Sequence, residues 1–138
     1  MSIEAQLEDA ARWFAAARSD LSAAKVLQSS GHFALTCFHA QQCAEKAIKG
    51  LLVARGTLPK THAIVRLAKE LPERNEVIRR AERLDRYYVG TRYPDALPEG
   101  ASADDVYDRD DAADAIGSAE GLLDLLSRWA LAQGVVLP

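Results

Sequence analysis

Residues 33–56 read FALTCFHAQQCAEKAIKGLLVARG, and the spacing inside this stretch decides the fold. Ala34, Phe38, Ile48 and Leu52 fall on one side of a helix at 3.6 residues per turn. Gln41, Glu45 and Lys49 recur every four residues on another face. Gly56 and Pro59 then stop the segment. Upstream, Leu7, Phe14 and Leu21 fall seven apart, with Ala10, Ala17 and Ala24 interleaved, so a long helix precedes it and ends at Gly31. The two segments predict an antiparallel helical hairpin.

Downstream, Ile64, Leu67, Ala68 and Leu71 describe a short helix with Thr61 as its N-cap and Pro72 at its end. Val77, Ile78, Ala81, Leu84 and Tyr88 mark a fourth, arginine-rich helix. Gly90, Pro94, Pro98 and Gly100 break the chain, and Ser102 with Asp104 and Asp105 reads as the cap of a last long helix. Its stripe is Ile116, Ala119, Leu123, Leu126 and Ala130. Strict alternation is nearly absent, so the expected fold is all-α, an up-and-down bundle of about five helices. One domain spanning 1–138 is expected.

Composition narrows the function classes. Hydrophobic residues make up 49% and charged ones 27%, with eight glycines and five prolines, which excludes a disordered or collagen-like chain. The longest uncharged apolar runs, of four or five residues such as 13–17 and 51–54, are far short of the roughly 20 residues of a membrane span. With no apolar signal core at the N-terminus, a cytoplasmic location is expected. Cys37 and Cys43 lie six apart on one helix and read as buried free thiols. His39 and Cys43 could share a metal, but no third ligand is evident, and neither a metal nor an organic cofactor is expected.

A net charge of −3 argues against indiscriminate coating of nucleic acid. The charge is unevenly spread, however. From Lys46 to Lys69 there are six basic residues and no acidic one, whereas 103–120 carries six aspartates and Glu120 against Arg109 alone. The basic stretch makes Lys46, Lys49 and Lys60 candidates for holding phosphate. In DRYYVGTRYPDALPEG (85–100), the interleaved Arg86, Tyr87, Tyr88, Arg92 and Tyr93 could grip a phosphate and stack a base, Arg92 and Tyr93 foremost, or could anchor the loop on the bundle. Gln41, Gln42 and Glu45 suit either a solvated helix face or polar glue at a helix interface. Arg55 and His62 flank a loop that closes onto a helix start. An imidazole base and a guanidinium anchor are what metal-independent RNA cleavage requires, although both could equally be ordinary surface charges.

The words ARSDLSAAKVL (17–27), GHFALTCFHAQQCAEKAIKGLL (31–52), THAIVRLAKEL (61–71) and TRYPDA (91–96), in this order, resemble the HEPN family of nucleotide-binding helical domains. The resemblance implies a helical bundle that pairs into a homodimer around a shared polar cleft. It also implies a partner, a small nucleotidyltransferase, in a toxin–antitoxin-like pair. Some family members are RNases with an Arg, four to six intervening residues and a His, and Arg55 and His62 match with six between. Three functions are therefore set against each other. They are a module that binds a nucleotide or RNA phosphate, a metal-independent endoribonuclease using Arg55 and His62, and a purely structural subunit.

Overall fold

In the computed structural model, which describes residues 1–138, the chain forms six α-helices and no strand. They are α1 (Ile3–Ser29), α2 (Phe33–Ala54), α3 (Ile64–Lys69), α4 (Arg74–Asp85), α5 (Ala103–Val106) and α6 (Arg109–Gln133). A 3-10 turn, Pro94–Ala96, lies in the α4–α5 connection. The all-α bundle is as the periodicity requires; the count exceeds five because α5 is a single turn. No helix is long and apolar enough to cross a membrane.

Ser2 caps α1 by accepting from the Ala5 amide, and Gly31, at φ 79, turns the chain from α1 into α2. Phe14 of α1 lies against Gly50 of α2, and Asp20 of α1 against Lys46, which is an antiparallel register. The buried face of α1 is mostly alanine, namely Ala10, Ala17 and Ala24, so α2 can approach closely. At Gly50 an added Cβ would come within 2.9 Å of the Phe14 ring and 3.0 Å of Trp13 Cβ.

Helix α6 covers a second side of α2, and α3 and α4 a third. As a result α2 is buried along nearly its whole length. Leu51, Leu52, Ile64, Leu67, Leu84, Leu122 and Leu126 form the centre of the core around it. Both cysteines are free and buried, and burial pushes their thiols up to about 12, with Asp111 adding to the effect at Cys37 and Asp20 at Cys43.

Two caps differ from expectation. Ser102 does form a capping box with Asp105, but it serves the single-turn α5; α6 has its own box, in which Asp108 accepts from the Asp111 amide. Thr61 accepts only from the Ala63 amide, at 3.2 Å. The first free amides of α3, those of Ile64 and Val65, are bound by the Asp85 carboxylate at 3.1 and 2.9 Å. The cap of α3 thus arrives from the end of α4, twenty-one residues away, where local spacing cannot reveal it.

Burial raises the Asp85 carboxyl above its ordinary 3.8, against the pull of the two amides, and Glu45 nearby adds to the rise. The folded protein therefore holds this proton more tightly than the unfolded chain does. The associated stability is fully present below about pH 4 and is lost as pH rises through the raised value. Denaturant unfolding from about pH 4 to 7 is expected to show the stability of the parent falling relative to Asp85→Asn, which keeps an acceptor without the charge. A difference that stays flat across this range contradicts the assignment.

Candidate phosphate-binding cleft

The row Gln41, Glu45, Lys49 is the least expected feature of α2. All three side chains are buried, so the solvated-face reading is wrong. The reason is geometric: α1, α6 and the α3–α4 pair pack around α2 and cover the face that carries this row, leaving water mainly the side of Leu35, His39, Gln42 and Lys46. Burying a carboxylate and an ammonium is unfavourable unless each finds partners.

At the lower end of the row, Lys49 Nζ lies 3.2 Å from Glu45 Oε2 and 3.2 Å from His62 Nδ1, and 5.6 Å from the centre of the Trp13 ring. His62 Nδ1 is also 3.5 Å from Glu45 Oε2. The imidazole is tethered by one edge while its side chain remains 69% exposed. Its Nδ1 can accept from Lys49 or donate to Glu45, and Nε2 correspondingly faces solvent as donor or acceptor. An imidazole held by one nitrogen with the other free is suited to proton transfer.

At the upper end, Arg92 reaches back from the α4–α5 connection. Its Nη2 donates to Gln41 Oε1 at 3.0 Å, and its guanidinium carbon sits 4.0 Å from the Tyr88 ring centre and 5.0 Å from that of Phe38. Gln42 Nε2 donates to the same Gln41 oxygen at 2.8 Å. Three buried polar atoms along the row have no partner: Gln41 Nε2, Glu45 Oε1 and Arg92 Nε. Each such group carries a desolvation penalty of about 1–3 kcal/mol, which a bound ligand could relieve.

The other predicted residues lie outside this cluster. Lys46 is paired with Asp20 at 2.6 Å, and Asp20 also meets His39 Nδ1 at 2.9 Å, so these charges lock α1 to α2. Lys60 and Tyr93 are exposed and make no side-chain hydrogen bond. Arg55 makes no hydrogen bond to His62. Its Nη1 and Nη2 grip Glu73 in a fork, at 3.0 and 2.9 Å, and Nε reaches Gln133 at 3.4 Å. The guanidinium ties the end of α2 to the starts and ends of its neighbours. His39 and Cys43 have no further ligands, and no group of three or more His, Cys, Asp and Glu side chains is placed to hold a metal ion.

Sequence reasoning placed Lys49 and Arg92 with the phosphate ligands and Tyr88 in the aromatic cluster beside them, but missed Asp85 and Phe38. A signal for the buried row is present in the sequence nonetheless. Outside the row, α2 is almost entirely alanine, cysteine, glycine, leucine, isoleucine and valine from Cys43 onward. A helix apolar on its remaining faces is buried all round, and polar residues within it are then buried too.

Comparison with known proteins agrees with the all-α fold. The family model of the HEPN domain matches residues 10–129. A protein of Methanocaldococcus jannaschii named as a candidate toxin is 27% identical over 122 residues, covering 80% of each chain. A crystal structure from Thermus thermophilus is 38% identical, with a TM-score of 0.81 over 87% of this chain and 97% of that one. An archaeal HEPN homologue is 36% identical, with a TM-score of 0.75 over 90% of this chain and 97% of its own. A HEPN domain protein of Thermotoga maritima is 28% identical, with a TM-score of 0.67 over 85% and 95%.

Proposed function

The chain belongs to the HEPN domain family, and from that premise we propose that it is a toxin-like HEPN protein whose α2 cleft binds the phosphate of a nucleotide or RNA. The observation that carries this reading is the buried row with its unpartnered atoms: Gln41 Nε2 and Arg92 Nε are donors that phosphate oxygens can satisfy, while Glu45 Oε1 is an acceptor that needs a hydroxyl or N–H of the nucleotide. A wholly structural row would be expected to satisfy them internally. Arg92, which has no carboxylate partner, supplies the positive charge, Lys49, itself paired with Glu45, adds an ammonium donor, and Tyr88 offers an aromatic plane beside Arg92. Lys60 and Tyr93, both exposed, are free to extend the contacts. Lys46 contributes less, being neutralised by Asp20.

The toxin-named relative supports a toxin–antitoxin-like arrangement. The family resemblance, and not that relative, suggests a small nucleotidyltransferase as the partner and a homodimer sharing the cleft. Sedimentation at micromolar concentration is expected to return a dimer, and a monomer would remove that part. A competitive fluorescent-nucleotide titration, with and without the nucleotidyltransferase, is expected to show saturable binding that Arg92→Ala weakens at least about tenfold, as loss of a charge-assisted contact requires. Absence of binding under both conditions overturns the proposal.

The tethering of His62 favours a second reading, metal-independent RNA cleavage with His62 as the base and Arg55 as the phosphate anchor. Arg55 would have to leave Glu73 to serve. Cleavage of a mixed RNA pool should then be insensitive to chelator and lost in Arg55→Ala and His62→Ala. Parent-like cleavage by His62→Ala rules this reading out.

A further inference from the structure

Helix α4 buries Val77, Ala81 and Leu84, which leaves its opposite side to solvent. Arg79, Glu82, Arg83 and Arg86 line one shallow recess on that side, and Arg80, Arg83, Asp114, Gly117 and Ser118 line another against α6. Neither recess has an apolar lining residue, so neither suits an apolar ligand. Among the four arginines only Arg83 has an ion pair, a long one of 3.8 Å to Asp114 with both side chains well exposed. Glu82 pairs with none of them within 4.0 Å.

The neighbouring helix is shaped to seat one of these groups. A Cβ on Gly121 of α6 would stand 2.7 Å from Arg80 Nε, so the missing side chain is what lets Arg80 lie across α6. Every cation on the strip is arginine, whose planar fork binds phosphate oxygens in pairs. Arg79 to Arg86 spans seven residues, about 10 Å along the helix at 1.5 Å per residue, farther than one phosphate can bridge. The end of the strip is tied to the chain beside His62: Asp85, next to Arg86, holds the amides of Ile64 and Val65, which follow His62 closely.

We propose that Arg79, Arg83 and Arg86, with Arg80 beside them, form a track for the backbone of single-stranded RNA that leads toward the α2 cleft. The choice of RNA rests on the nucleotide- or RNA-binding reading above; the track itself is a separate surface. It makes the cleft a place for one nucleotide of a longer strand, with the preceding or following phosphates held on α4.

The test is fluorescence anisotropy of a labelled single-stranded RNA of about 15 nucleotides, long enough for cleft and track together. Arg79→Gln/Arg83→Gln/Arg86→Gln is expected to bind at least tenfold more weakly than the parent. Its log–log salt dependence should be shallower by about 2, since each lost phosphate contact on a single strand contributes about 0.7. Binding of a fluorescent mononucleotide should be unchanged. The same charge change made elsewhere, in Arg12→Gln/Lys25→Gln/Arg128→Gln, should leave the RNA slope as in the parent. An unchanged slope in the α4 variant, or an equal loss in the control, overturns the track. Absence of mononucleotide binding by the parent, with the slope still falling in the α4 variant, removes the cleft reading and leaves the track standing.

Discussion

Lys49→Met is expected to destabilise the protein by about 3 kcal/mol or more, among the largest effects of any single polar substitution in the chain. The ammonium is the nearest partner of a carboxylate whose side chain is only 6% exposed. Removing it leaves Glu45 buried, with one oxygen already unpartnered and only the distant edge of His62 to offset its charge. Replacing both charges, in Glu45→Leu/Lys49→Met, is expected to restore most of the loss, because two apolar groups of similar volume avoid the desolvation of the pair altogether. Thermal or denaturant unfolding of the two variants beside the parent provides the comparison. A double variant as unstable as Lys49→Met would mean the pair is needed for folding itself, and the argument that it is kept for a ligand would fail.

Phe14→Ala should cost about 3–5 kcal/mol, the loss expected for emptying a fully buried aromatic site. Its ring fills the space that Gly50 leaves open where α1 meets α2. Gly50→Ala in the parent is expected to cost about 1–3 kcal/mol, since its Cβ would press on that ring at 2.9 Å and overpacking outweighs the gain in helix propensity. With the ring gone the alanine is accommodated, so Phe14→Ala/Gly50→Ala should be less destabilised than the two single losses combined. Denaturant midpoints measure all three. Strict additivity would show that Gly50 is not the residue that sets the approach of the two helices.

The positions of the helices could be read directly because amphipathic spacing is local. The Leu7–Phe14–Leu21 stripe and the Ala34–Phe38–Ile48–Leu52 stripe each record one buried face, and the hairpin follows from the short connection at Gly31. The ends of α3 and α6 were less legible. Asp85 caps α3 from a different helix, and Ser102 offers a plausible cap one turn too early, so the competing local signal at Thr61 or Ser102 looks sufficient when it is not.

Charge roles were harder still, because they depend on what lies across the bundle. Arg55 meets Glu73 and Gln133, and Arg92 meets Gln41 fifty-one residues away. Spacing along the chain carries none of these pairings. The Gln41–Glu45–Lys49 row is legible as a unit, but its burial requires knowing that α1, α6 and the α3–α4 pair pack around α2. His62 was identified by its type and its place at a helix start; its tether to Lys49 and Glu45 emerges only in the folded bundle.

The most direct test of the cleft is a fluorescent-nucleotide titration of the parent beside Glu45→Leu/Lys49→Met, once unfolding shows the double variant to be about as stable as the parent. The account predicts saturable binding by the parent and at least about tenfold weaker binding by the variant, because the ammonium and carboxylate that line the site are gone while the fold remains. Equal affinities in two equally stable proteins would contradict it and return the buried row to a structural role.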